Sequence, residues 1–297
     1  MKVLLTGASG YIGSAVAAHL LAARHEVVGL ARSEESARKL SENGVRAARG
    51  DLHDSESITE AARNADGVIH AASTNAPDAP AADAQAVAAI LDALEGTNRP
   101  FIYTSGIWVL GNTHDRVADE ESRLDPPPLV AWRPANEQRV LEAAARGVRS
   151  IIVRPGIVYG REGGIIGDMI QSGRQNKVVR FVGTGENRWP LIHVDDLADL
   201  YVRALEKAPA GTLLMATAGA SISVREVAEM VARAAGISGQ VESWPIEQAR
   251  ERLGPYADAL VLDQQISSEK AMRLLGWTPQ APTLEQELAQ NPASPRA

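Results

Sequence analysis

An α/β fold on a doubly wound parallel sheet is predicted by three observations. Short apolar runs alternate with helical stretches through the first half of the chain, the first run is aliphatic enough to be buried on both faces, and a glycine-punctuated turn follows it. At 297 residues with 45% hydrophobic content, the chain can bury one large core or two unequal lobes. No apolar run approaches the roughly 20 residues that cross a bilayer, and Met1 leads straight into a strand, which implies a cytoplasmic protein. The absence of cysteine excludes disulfides, thiolate nucleophiles and thiolate zinc sites, and six scattered histidines offer no metal-ligand spacing. A net charge of -7 argues against a nucleic-acid groove, so the expected partner is a small molecule.

Residues 2–13, KVLLTGASGYIG, read as a buried strand turning into a helix. Gly7, Gly10 and Gly13 suit, in the pattern of a Rossmann-type site, a tight turn, close backbone approach to a pyrophosphate and close packing of helix on strand. Ser9, Tyr11 and Ile12 lie among the amides of the helix start, which would face the phosphates. Residues 26–32 form the second strand. Where an NAD-preferring site carries an acid about 20 residues past the glycines, this chain has Arg32 and Ser33, which suit a 2′-phosphate, so NADP(H) is the expected cofactor. The alternative leaves Arg32 as a solvated surface residue, with Glu34 or Glu35 on the ribose.

Residues 36–43 make a short amphipathic helix and 45–50 a third strand, with Asp51 and Leu52 at its carboxyl end. Asp51 suits the adenine amino group, or caps the next helix as Asp54 or Ser55 could. Residues 67–72 are the fourth strand; Ala71, Ala72 and Ser73 are small enough for a cofactor to pass close, and His70 reads as a packed core histidine. A Pro-containing loop at 74–80 leads to an alanine-rich helix, 81–95, apolar along Val87, Ile90, Leu91 and Leu94. The fifth strand, 100–105, ends in Thr104 and Ser105, and 106–111 forms the loop over the expected nicotinamide. Residues 116–128, acidic and then Pro-rich, read as a mobile surface segment beside the cleft. A helix at 135–146 and a sixth strand at 148–154 follow; Pro155 and Ile157, just past that strand, are candidate cofactor contacts.

The second half changes character. Gly163, Gly164 and Gly167 precede a helix near Met169, residues 183–190 are a Gly-rich loop, and 191–207 return to the sheet as strand then helix. Ser223 begins a helix over 224–235, residues 282–290 close the fold, and 291–297 are expected to fray. Residues 1–160, with 191–218 packing back, are expected to form the dinucleotide-binding core, and 161–190 with 219–297 a smaller C-terminal substrate-binding lobe.

Six ordered motifs resemble the extended short-chain dehydrogenase/reductase family, also called the NAD-dependent epimerase/dehydratase family. They are TGASGYIG at 6–13, GDL at 50–52, IHAA at 69–72, YTSG at 103–106, RPGIVYG at 154–160 and HVDDLA at 193–198, with LLGWTP at 274–279 similar to the family's C-terminal lobe. The chain departs from the family in its chemistry. The resemblance implies a Tyr-x-x-x-Lys pair before the sixth strand, and none exists. One register places Trp132 and Asn136 there; anchoring on Glu137 places Leu129 and Arg133 there instead, and this second register is preferred. The usual catalytic serine or threonine falls at Gly106, with Ser105 one place earlier, and the helix at 81–95 lacks the expected asparagine.

The expected function is therefore an NADPH-dependent oxidoreductase acting on a carbonyl or similar unsaturated group. The catalytic candidates are Ser105 as hydrogen-bond donor, Tyr159 as acid and Arg133 as the cation beside the nicotinamide ribose, with no metal. Trp108, Trp132 and Trp189 could wall an apolar substrate pocket. The alternatives are a non-catalytic NADP(H) sensor and a sugar-nucleotide epimerase or dehydratase, which would need the missing tyrosine as base. The resemblance also implies a homodimer through the helices 81–95 and 135–146.

Overall fold

The structure is a computed structural model that describes residues 1–74 and 76–290. The expected fraying of 291–297 lies outside the described residues. The first six strands, β1 (Lys2–Thr6), β2 (Glu26–Ala31), β3 (Arg46–Arg49), β4 (Gly67–His70), β5 (Pro100–Thr104) and β6 (Arg149–Pro155), all pair in parallel. Four short strands follow: β7 (Ile157–Tyr159), β8 (Val179–Val182), β9 (Arg188–Trp189) and β10 (Leu191–His193). The chain then returns to the main sheet as β11 (Thr212–Ala216), parallel to β6. That seventh strand sits inside the stretch expected to pack back, but its LLMA run was not resolved from its surroundings in the sequence. The sheet order is 3-2-1-4-5-6-11, so the winding direction reverses between β1 and β4. In an open parallel sheet that reversal opens a crevice at the strand carboxyl ends, where ligands bind.

Helices cover both faces. Leu5, Val27 and Ile69 face α1 (Tyr11–Ala22) and α2 (Glu34–Glu42) in one apolar cluster, while Leu4, Val68 and Phe101 face α3 (Ser55–Arg63), α4 (Ala79–Leu94) and α5 (Arg133–Glu142) in the other. Burial on both faces is the reason these strands carry unbroken aliphatic runs. Capping sets several boundaries. Ser33 caps α2 two residues earlier than expected, Asp54 accepts from the amides of Glu56 and Ser57 to begin α3, and Ser223 with Glu226 forms a capping box.

A smaller apolar cluster joins β7 and β8 to α6 (Gly164–Asn176) and, beyond α7 (Val194–Lys207), to α8 (Val224–Ala234). The last antiparallel and parallel pairs use β12 (Ile222–Ser223) and β13 (Val241–Trp244). The chain ends through α9 (Ile246–Leu253), α10 (Tyr256–Leu260), α11 (Glu269–Leu275) and α12 (Leu284–Gln290). Among the described residues no helix is long and apolar enough to cross a membrane.

The segment at 116–128 is not the mobile strap its composition suggested. The Ala118 amide donates to Gln265 O and its carbonyl accepts from Ser267, Glu120 Oε1 accepts from the Met215 amide, and Asp125 N donates to Val109 O. Acidic and proline-rich composition records solubility, whereas these anchors lie up to about 150 residues away in the chain, beyond the reach of composition.

Candidate active site

The turn between β1 and α1 is built by its glycines in three different ways. Gly7 has φ +75°, and a Cβ there would sit 2.7 Å from Ala71 O at the end of β4. A Cβ on Gly13 would overlap Gly7 O, so that glycine lets the helix lie on the turn. Gly10 is exposed and would meet only Gly7 O, at 3.2 Å, and as N-cap it gives α1 no side-chain cap. The first amides of α1 are thus left without a side-chain partner from their own cap, beside Ser9, with Tyr11 and Ile12 half-buried behind them. A bare helix start reached over a side-chain-free turn fits a pyrophosphate. Ala71, Ala72 and Ser73 run past the same turn, and the Ala71 amide donates to Thr6 O at 3.3 Å.

At the end of β2, Arg32 is exposed and has no side-chain partner among the described residues. Ser33 is committed locally: its hydroxyl oxygen accepts from Ser36 N at 3.2 Å. Asp51 Oδ1 accepts from the His53 amide at 2.9 Å, and Asp54, not Asp51, caps α3. Leu52 packs half-buried against the second apolar cluster. Pro155 and Ile157 are buried on either side of Gly156, where β6 hands over to β7.

The chemistry concentrates where β5 meets α5. Glu137 and Arg154 form a bidentate ion pair, Nε to Oε1 at 2.9 Å and Nη2 to Oε2 at 2.5 Å, each side chain only 3% exposed. This pair fixes the register of α5 against β6 and so brings Arg133, one helical turn before Glu137, to the end of β5, where its Nη1 donates to Thr104 O at 3.4 Å. Its guanidinium also lies over the Trp132 ring, 5.0 Å from the centroid. Arg133 Nη1 lies 3.9 Å from where a Cβ on Gly106 would stand, so a cation reaches the place that a side chain at 106 would occupy. Arg133 Nε and Ser105 Oγ are buried with no hydrogen-bond partner among the described residues, and so is Arg154 Nη1. Ser105 follows β5 in register, its amide donating to Val153 O, which places it beside Arg154 on the face toward α5.

Tyr159 is drawn elsewhere. Its hydroxyl donates to Pro282 O at 2.8 Å, its ring meets His193 edge-on, and it belongs to the smaller apolar cluster. Burial first, then the carboxylates of Asp196 and Glu287, pushes this hydroxyl far above the ordinary tyrosine range. The proton of the expected acid is thus donated to a backbone carbonyl of the smaller cluster, away from the junction of β5 and α5. Among the other tyrosines, Tyr11 donates to Gly160 O, Tyr103 to Asp83, and Tyr201 shares a hydrogen with Thr104 Oγ1 at 2.7 Å. The sequence did not point to Tyr201 because its partner lies 97 residues away. Trp108, in the 3-10 turn Ile107–Leu110, meets Tyr256 edge-on at 5.9 Å, and burial together with Asp168 pushes that tyrosine's hydroxyl up to about 12. Trp189 is buried in the smaller cluster, its Nε1 donating to Leu260 O.

Comparison with known proteins bears on this arrangement. The model of the NAD dependent epimerase/dehydratase family matches residues 3–214. An uncharacterized protein of Schizosaccharomyces pombe is 37% identical over 97% of this chain and 98% of its own. A 4-hydroxy-2-methyl-3-oxo-4-farnesyl-3,4-dihydroquinoline-1-oxide ketoreductase of Stigmatella aurantiaca is 27% identical over 84% of this chain and 78% of its own. The fold is shared with the UDP-glucose 4-epimerase of Thermus thermophilus in complex with NAD, at TM-score 0.81 and 23% identity over 98% of this chain and 97% of that one.

Proposed function

The chain belongs to the NAD dependent epimerase/dehydratase family, and from that premise we propose that it is an NADPH-dependent reductase of a carbonyl or similar unsaturated group in a small molecule. The observation that carries this reading is the pair of buried, unpartnered polar atoms at the junction of β5 and α5, Ser105 Oγ and Arg133 Nε. Leaving a buried donor unsatisfied costs about 1–3 kcal/mol, a cost that calls for a ligand or water to complete it. When bound, the dinucleotide supplies hydride. The protein's part is to orient the substrate and stabilise the oxygen that gains charge. Arg133 supplies fixed N–H donors and a positive charge for that oxygen, but guanidinium does not release its proton. Ser105 donates the second hydrogen bond, and the proton arrives through its hydroxyl from a water held beside it. The Stigmatella ketoreductase supports the reductive direction. The test is loss of NADPH absorbance when the purified protein meets a panel of ketones, enones and imines; no consumption with any class, in protein that binds NADPH, would favour a non-catalytic sensor.

NADPH is the expected partner because Arg32 stands exposed at the end of β2, followed by Ser33, where an NAD-preferring site carries an acid. With the Ser33 hydroxyl engaged in capping α2, Arg32 carries the preference alone. A charge-assisted contact to the 2′-phosphate is worth roughly 1.5–3 kcal/mol, or about tenfold to a hundredfold in affinity. Titration should show NADPH binding that much more tightly than NADH, and Arg32→Ala should bring the two dissociation constants together. Equal constants in the unaltered protein would contradict the assignment.

A further inference from the structure

Between the sheet and the helices α4 and α5 lies a polar network that the mechanism above does not use. Asp83, on α4, is 7% exposed and accepts three hydrogen bonds from three separate elements. His70 Nε2 at the end of β4 lies 3.0 Å from Oδ1, Tyr103 Oη on β5 donates to Oδ2 at 2.7 Å, and Asn136 Nδ2 on α5 donates to Oδ2 at 2.7 Å. His70 extends the network through Nδ1 to Thr6 Oγ1, 2.7 Å away on β1. His70, Tyr103, Asn136 and Thr6 are each 2% exposed or less.

The positions of the partners matter more than their number. Thr6 immediately precedes Gly7, His70 immediately precedes Ala71 and Ala72, Tyr103 immediately precedes Thr104 and Ser105, and Asn136 stands three residues after Arg133. Every segment that builds the proposed site, apart from the Arg32 end of β2 and the handover from β6 to β7, is tied at its base to one carboxylate or to the histidine it holds. A core of aliphatic side chains would pack these elements equally well, and a buried carboxylate is expensive unless all its lone pairs are used. Here three of its roughly four lone-pair sites are used: burial works to raise the Asp83 carboxyl, and the hydrogen bonds and charge from His70, then those from Tyr103 and Asn136, outweigh it and hold it below the usual range. A directional clamp of this kind fixes strand ends relative to one another more tightly than apolar packing does.

We infer that Asp83 is a positioning residue which sets the spacing of the dinucleotide cradle through His70 and the placement of the Arg133 guanidinium through Asn136. The inference rests on the reductase reading for its catalytic arm only; the cofactor arm stands on binding. Misplacement of a reacting group by about 1 Å costs on the order of 10²-fold in rate. Asp83→Asn keeps the shape but cannot accept from all three partners. It is expected to weaken NADPH binding about tenfold by calorimetric titration and to lower kcat about a hundredfold, at temperatures where circular dichroism shows it folded. The two arms separate in single variants. His70→Phe should act chiefly on the NADPH dissociation constant, and Asn136→Ala chiefly on kcat, with the Asp83→Asn, Asn136→Ala double variant adding little in kcat to either alone. A merely structural role would lower the melting temperature in all three while leaving both constants where they were, and that result overturns the inference. Should Asp83→Asn fail to fold, the split between His70→Phe and Asn136→Ala decides by itself. If no substrate is ever reduced, the reductase reading fails while an unchanged dissociation constant in His70→Phe remains the result that sinks the clamp.

Discussion

Glu137→Ala is expected to destabilise the fold by about 3–5 kcal/mol, because it strands the Arg154 guanidinium in a site only 3% exposed. Among the described residues the two bonds from Arg154 to Glu137 are the only ones its side chain makes, and Nη1 has no partner even in their presence. Arginine cannot escape by losing its proton, so the whole penalty of an unpaired buried cation falls on the folded state. Urea unfolding followed at constant slope should show the midpoint falling accordingly. Replacing both partners, Glu137→Met with Arg154→Met, should recover most of that loss, since two apolar side chains of similar size leave no charge unpaired. A single variant within about 1 kcal/mol of the parent would mean that water reaches Arg154.

The second large effect is kinetic. Arg133→Met should lower turnover by about 10²–10³-fold, the usual share of one fixed donor to a developing oxyanion, while Arg133→Lys should return only part of it because an ammonium does not reproduce the planar fork. Tyr159→Phe is the contrasting change. It deletes a hydrogen bond to Pro282 O inside the smaller cluster, so a loss of about 1 kcal/mol in stability and a change of less than about tenfold in turnover are expected. If Tyr159→Phe proved the damaging variant and Arg133→Met the mild one, the placement of chemistry at the β5 to α5 junction would be wrong.

The parts of this protein that were legible in its sequence are those governed by neighbours in the chain. The glycines at 7 and 13 do what a strand-turn-helix spacing predicts, one turning the chain and one admitting the helix, with Gly10 exposed between them. Apolar runs announce β1, β4 and β5, and Ser223 announces the start of α8. His70 was read correctly as a buried residue but not as one end of a clamp, since its partner Asp83 lies 13 residues on and Asn136 lies 53 beyond that carboxylate. Arg133 stands at the β5 end, and the physical reason, the ion pair of Glu137 with Arg154, is invisible until β6 is laid beside α5. For Tyr159 a motif fixes a place along the chain and not the face of the strand; its neighbours Pro282 and His193 turn it into the smaller cluster. Ser33 and Asp51 show the same limit, since a short polar side chain at a strand end serves a local amide as readily as a ligand.

The reductase account is tested most directly by following deuterium from NADPH labelled at the transferring position of the nicotinamide into a carbonyl substrate found by screening. Reduction at this site predicts one deuterium on the former carbonyl carbon of the product, with one oxidised cofactor formed for each product molecule. Rearrangement of a hydroxyl-bearing substrate by protein loaded with oxidised cofactor, with that cofactor recovered oxidised and no NADPH consumed by any carbonyl compound, would contradict it, for that is the outcome of transient oxidation by an epimerase or dehydratase.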